Sequence, residues 1–151
     1  MLNEGPKTPK PKEFAQSAAE SDGYELAAAR CALAQSRNSQ VRAFAERMIA
    51  DHEHTAQALR DAAKAAGLEP PHPHVGGDQS RFLMSLQSLR GNEFDREYAR
   101  QQMLAHTSAL TMMRSYADKG SDANLRGMAA SSAPIIEGHL QTARQLLQSL
   151  M

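Results

Sequence analysis

The chain has one cysteine, Cys31, in 151 residues. That excludes an intrachain disulfide framework and any cysteine-rich zinc or iron–sulfur site. There is no tryptophan, and there are only four Phe and three Tyr. Two Val and three Ile are too few for a sheet, which draws on β-branched and aromatic residues. Neither charge is in excess: 17 Lys and Arg face 17 Asp and Glu. Nucleic acid is thereby excluded as the default partner, because phosphate binding needs a surplus of Lys and Arg on one face. A polybasic membrane anchor is excluded on the same ground. No apolar run approaches the ~20 residues of a membrane helix, so no membrane insertion is expected.

The first twelve residues are polar, carry Pro6, Pro9 and Pro11, and contain no apolar signal-peptide core. Residues 1–12 are expected to form a disordered tail, with one domain over 13–151. The compartment expected is the cytoplasm, or the periplasm if the numbering begins at a trimmed mature chain.

What is abundant is alanine, with 26 residues, supported by Leu, Gln, Arg and eight Met. These are helix formers, and small Ala faces let helices approach closely. The expected class is all-α. Six of the seven prolines lie in the tail or in Pro70-Pro71-His72-Pro73, and glycines punctuate at Gly67, Gly76-Gly77, Gly91 and Gly120. The first long helix is expected from about Glu13 to Ser36. A second, capped by Asn38 or Ser39, runs to Ala66 and stops at Gly67. After a linker, Asp78 caps a short helix over Gln79–Arg90. Asn92 caps the third long helix, with Asp95 as a favourable charge in its first turn, and this helix ends near Gly120. Ser121 or Asp122 caps the fourth, which runs to the C-terminus. Short turns inside each helix pair suggest an up-down-up-down four-helix bundle, with the extra short helix in the long middle connection.

Each long helix carries one stripe with spacings of three and four. The first reads Phe14, Ala18, Ser21, Glu25, Ala28, Ala32. The second reads Val41, Ala45, Met48, His52, Thr55, Leu59. The third reads Ala99, Gln102, His106, Leu110, Met113. The fourth reads Leu125, Met128, Ser132, Ile136, His139, Ala143, Leu146. Four stripes thus each hold one strong metal ligand: Glu25, His52, His106 and His139. If both hairpin turns lie at one end of the bundle, Glu25, His52 and His106 sit 13 or 14 residues below it. That is a depth of roughly 20 Å. His139 would lie about one turn deeper, unless Pro134 kinks the helix and re-aims it.

Three imidazoles and a carboxylate make a four-ligand set suited to a divalent metal ion, zinc or iron first. Burying such groups unpaired is costly, and converging them on a cation removes the cost. Asp51 is a further ligand or an acceptor behind one, and Glu137 could act likewise near His139. The plainer reading is a hydrogen-bonded core for each histidine taken alone, with the first helix phased instead through Tyr24, Ala28 and Cys31. His72 and His74 read as exposed loop residues and His54 as exposed. Tyr98 reads as core with a satisfied hydroxyl. Gly23, Gly127 and Gly138 each cost a helix ~1 kcal/mol, which close helix contact would justify.

The chain also resembles a bacterial ferritin-like family of unknown function, whose members are often labelled outer-membrane or periplasmic proteins. The resemblance is carried by Phe14-Ala15-Gln16-Ser17-Ala18-Ala19 with Glu25, by Asn38 to Ala45 with Met48-Ile49-Ala50-Asp51-His52, by Gly91 to Tyr98 with His106, and by Pro134 with His139. It implies a ferritin-like bundle and supports Glu25, Asp51, His52, His106 and His139 as the site. Family members usually carry an export signal, which this chain does not show. The di-iron enzymes of the wider superfamily use two Glu-x-x-His pairs on helices. This chain is expected to offer none, the nearest being Asp51 to His54, so a standard di-iron oxidase is not expected.

Two functions of different class follow. One is a ferritin-like metal-binding protein in metal handling or stress defence. The other is a metal-free bundle acting as a structural or interaction module, for which Ala-rich outer faces permit a homodimer. A metalloenzyme with an open coordination position is a third. A histidine phosphotransfer bundle is set aside, because His52 lies on an inward stripe.

Overall fold

The computed structural model describes residues 8–151. Its elements are α1 (Pro11–Gln35), α2 (Ser39–Ala65), α3 (Gly77–Gln87), α4 (Gly91–Lys119) and α5 (Ala123–Ser149). There is no strand among the described residues. Of the expected tail, residues 1–7 lie outside the described residues, and Pro11 and Lys12 already belong to α1. Pro11 suits a first helical position, where its missing N–H costs nothing.

Local chemistry sets most boundaries. The Asn38 side chain accepts from the backbone N–H of Gln40 at 2.9 Å and of Val41 at 3.1 Å, capping α2. Asp122 caps α5 by accepting from Leu125 N–H at 2.9 Å. At the end of α2, Gly67 takes a left-handed φ of 79°. This lets the N–H groups of Gly67 and Leu68 close back on Lys64 and Ala63. Two expected caps are not used. Asp78 lies inside the first turn of α3, whose cap is Gly76. Asn92 lies inside α4, which begins two residues earlier than expected, at Gly91, with Arg90 as its cap.

The course of the chain corrects the up-down-up-down expectation. Ser36, at the first hairpin turn, donates its hydroxyl to Asp95 near the start of α4 at 2.6 Å. Phe14, near the start of α1, stacks on Tyr116 near the end of α4 with ring centroids 4.0 Å apart. The α4 helix therefore runs antiparallel to α1, and the two hairpin turns lie at opposite ends. The order is up-down-down-up. The connection from Ala66 to Arg90 is long enough to carry the chain back along the bundle before α4 begins. Asp95 is consequently a buried acceptor for Ser36, and Glu93 is the acid in the first turn of α4.

The returning connection covers the seam between α1 and α4. Gln101 holds it by donating to Phe82 C=O at 3.1 Å, and Gln35 by donating to Leu89 C=O at 2.7 Å. Gly23 is needed there: a Cβ would stand 2.2 Å from the carbonyl oxygen of His74. Gly127 and Gly138 have no such contact, contrary to the expected close helix approach.

The core divides in two. One apolar cluster holds Phe14, Leu59, Met113, Tyr116 and Leu125 at one end. The other holds Tyr24, Phe44, Met48, Phe94, Tyr98 and Leu146 at the opposite end. Buried polar side chains lie between them: Asp22, Glu25, His52, Thr55, Gln102, His106, Ser132 and His139. No helix among the described residues is long and apolar enough to cross a membrane.

Candidate metal centre

His52 on α2, His106 on α4 and His139 on α5 meet in this polar layer. Each ring offers one nitrogen, and the three nitrogens lie within 4.8 Å of one another. Ring centroids are 5.3 to 5.9 Å apart. The true topology explains why they are level. From the end shared by Ser36, Ser39, Gly91 and Leu150, Glu25 lies 11 residues in, His52 13, His106 15 and His139 11. Measured from this end, His139 is level with Glu25 and within two residues of His52, while His106 lies about one turn further in.

Each ring is anchored from behind by an acceptor. His52 Nδ1 donates to Asp22 Oδ1 at 2.8 Å. His106 Nδ1 donates to the carbonyl of Gln102, one turn back, at 2.8 Å. His139 Nε2 donates to Asp51 Oδ2 at 2.7 Å. Carboxylates and carbonyls only accept, so these bonds place the proton of a neutral imidazole on the anchored nitrogen. The lone pair is then left on the other. Among the described residues, those other nitrogens, His52 Nε2, His106 Nε2 and His139 Nδ1, are buried without a hydrogen-bond partner. A buried polar atom left unsatisfied costs ~1–3 kcal/mol. Three lone pairs held in one small space, each fixed in tautomer by a rear acceptor, match the way metal-ligating histidines are supported. A crevice of about 10 Å³ beside His52 and His139, lined also by Ser21, Asp22 and Ser132, has room for about one water-sized sphere.

Electrostatics favour the neutral form for two of the three rings, His106 and His139. Burial, helped by the charge of His52, pushes His106 down to about 3. Burial also lowers His139, against its hydrogen bond to Asp51. For His52, burial is outweighed by the hydrogen bond to Asp22 together with the charges of Glu25, Asp22 and Asp51, and its pKa is raised.

The other expected ligands stand differently. Glu25 is buried but lies behind His106, with Oε1 3.9 Å from His106 Nδ1. Burial raises its pKa to about 7. Asp51 is an anchor for His139 and no member of the triad. Glu137 pairs with Arg114 on the surface at 2.9 Å, and plays no part near His139. The Tyr98 hydroxyl, expected to be satisfied, has no partner among the described residues, and neither do the polar atoms of the Gln102 side chain. Glu69 and His72 do have Glu-x-x-His spacing, but both are exposed and lie in the linker. Asp22 was missed by sequence. It lies one turn before Glu25, on the side of α1 that faces α2, while the stripe was drawn through Ser21.

A family described as a domain of unknown function, DUF4142, matches residues 2–146. No curated protein sequence matches the chain. Two solved structures share the fold. A DUF305 fragment from Deinococcus radiodurans aligns with a TM-score of 0.79 at 18% identity, covering 96% of this chain and 99% of that one. CopM in its Cu(I)-bound form aligns with a TM-score of 0.75 at 16% identity, covering 93% of this chain and 97% of that one.

Proposed function

The chain belongs to the DUF4142 family, and from that premise we propose that it is a metal-binding helical bundle, with His52, His106 and His139 as ligands to one transition-metal ion. The observation that carries this reading is the set of three buried, unpartnered imidazole nitrogens, each ring anchored from behind. Three neutral imidazoles suit zinc and copper, and also iron. The copper(I) held by a structural neighbour makes copper an ion to test beside zinc. Glu25 is the reserve ligand, reaching the ion only by turning from behind His106. Bound there, the ion would supply Lewis acidity or redox chemistry. The residues themselves do the holding, through Asp22, the Gln102 carbonyl and Asp51.

We also read the architecture as ferritin-like. A single long crossover within a four-helix bundle supports this, since ferritin-like folds carry one. The role follows as metal handling without catalysis, in keeping with helices that lack the Glu-x-x-His pairs of the di-iron enzymes.

The test is elemental mass spectrometry of untagged protein after exposure to zinc, copper, iron and manganese. The same measurement is made on a His52→Ala/His106→Ala double variant. One ion per triad in the wild type, lost in the variant, is the expected result. No stoichiometric metal from any of the four would overturn the proposal and leave the histidines as a buried polar network.

A further inference from the structure

The four seams of the bundle are not equally closed. The returning connection lies over α1 and α4, while among the described residues no element covers α2 and α5. Along that open face runs a groove of about 400 Å³ between Arg47, Asp51 and His54 on α2 and Pro134, Ile135, Gly138, His139 and Thr142 on α5, with Arg47 paired to Asp51 at 3.4 Å. A second groove, also reaching His139 and Thr142, adjoins it toward Phe44 and Met48. His139 thus borders both the surface grooves and the triad, and His52 and His106 border neither groove. Its two nitrogens face different worlds. Nδ1 is buried without a partner among the described residues, and Nε2 is tied to Asp51, whose side chain is 31% exposed. Gly138 sits beside His139 with nothing within 4 Å of where a Cβ would stand. A side chain there would fill the groove, not collide with the core.

We propose that the ion enters and leaves the triad across the α2/α5 face, through the groove at Gly138. The ring of His139 is the gate and Asp51 is its latch. This inference rests on the reading of the triad as a metal centre. The step is a ligand exchange and no bond of the protein breaks. The Asp51–His139 hydrogen bond opens, the ring turns outward, and its nitrogen meets the incoming cation at the groove. The ring then returns to the other two imidazoles, and the hydrogen bond to Asp51 reforms. Asp51, and His54 one turn further along α2, supply a carboxylate and an imidazole at the mouth, where a hydrated cation exchanges its water once the exposed Arg47 side chain, paired to Asp51 at 3.4 Å, swings aside.

A plug and a broken latch act oppositely, which makes the route testable apart from affinity. Uptake is followed by transfer of zinc(II) or copper(I) from a chromophoric chelator, and release by transfer to a stronger one. Gly138→Phe is expected to slow uptake and release together by at least tenfold, with the equilibrium affinity unchanged. Thr142→Phe, one turn further along the same α5 wall of the groove, is expected to do the same and serves if Gly138→Phe does not fold. Ser80→Phe, at an exposed position on α3, is expected to leave both rates alone. Asp51→Ala is expected to speed uptake and release together at least tenfold, whereas loss of an anchor alone would speed release and leave uptake as in the wild type. A wild-type chain that takes up neither ion removes the metal centre itself. A wild-type chain that loads, with rates unchanged in both groove variants, removes the route and leaves the centre standing.

Discussion

At the scale of the residue, Asp22 carries the sharpest consequence. It fixes the tautomer of His52 while also accepting from the Thr55 hydroxyl at 2.9 Å. Replacing it by Asn keeps the shape but lets the amide turn its NH₂ toward His52 Nδ1. The proton then moves to Nε2 and the lone pair is lost from the triad. Asp22→Asn is expected to weaken metal binding about 10–100-fold, the usual cost of losing an outer anchor. A competition titration against a chelator reads this, and an unchanged affinity would show that His52 is not a ligand. The glycines make a second, opposite pair. Gly127 and Gly138 lie on exposed helix with room for a methyl group. Gly127→Ala and Gly138→Ala are each expected to stabilise the fold by ~0.5–1 kcal/mol in urea unfolding. Gly23→Ala is expected to destabilise it, because the His74 backbone occupies the space.

At the scale of the element, helices were legible and their directions were not. Ala content, proline placement and the Asn38 and Asp122 caps marked the helix ends to within a few residues. What a sequence cannot show is where a long connection goes. The segment from Ala66 to Arg90 could have turned at once or run back along the bundle, and its composition is polar either way. The histidine triad survived this error for a geometric reason. His106 is near the middle of α4, 15 residues from Gly91 and 14 from Gly120, so reversing the helix leaves its depth unchanged. His139 is off centre in α5, and its depth came out wrong. Asp22 escaped because a buried α1 presents two faces, one to α2 and one to α4, and a single stripe follows only one. The crossover also makes an element-scale prediction. Gln35 is its tie at the far end, donating to Leu89 C=O. Gln35→Ala is expected to raise amide exchange through α3 while the exchange of α2 and α5 stays as in the wild type.

At the scale of the molecule, the polar layer sets how the metal-free bundle responds to pH. Two groups pull in opposite directions. His106 falls from 6.5 to about 3 on folding, chiefly by burial. Its contribution to stability is complete above 6.5 and is lost as pH falls toward 3, because the unfolded chain takes up the proton first. Glu25 rises from 4.5 to about 7, again chiefly by burial. Its contribution is complete below 4.5 and is lost as pH climbs through 7. His139, lowered, acts with His106, and His52, raised, acts with Glu25 above 6.5. Between 4.5 and 6.5 the slope of Glu25 offsets that of His106 and leaves that of His139, so these groups make the metal-free protein gain stability only gently with pH there, with a steeper fall on the acid side. A single buried group contributes at most ~1.4 kcal/mol per pH unit. Glu25→Gln removes the one falling slope, and the urea midpoint of the variant is expected to rise with pH more steeply across that window than that of the wild type. Identical profiles would mean that Glu25 is ionised in the folded chain, placing a charge behind His106 and arguing for Glu25 as a metal ligand. A resident ion changes the balance again. It binds the unprotonated imidazoles, so a metal-loaded chain loses stability on acidification more steeply than a metal-free one. Chelation at neutral pH brings the loaded chain down to the metal-free profile.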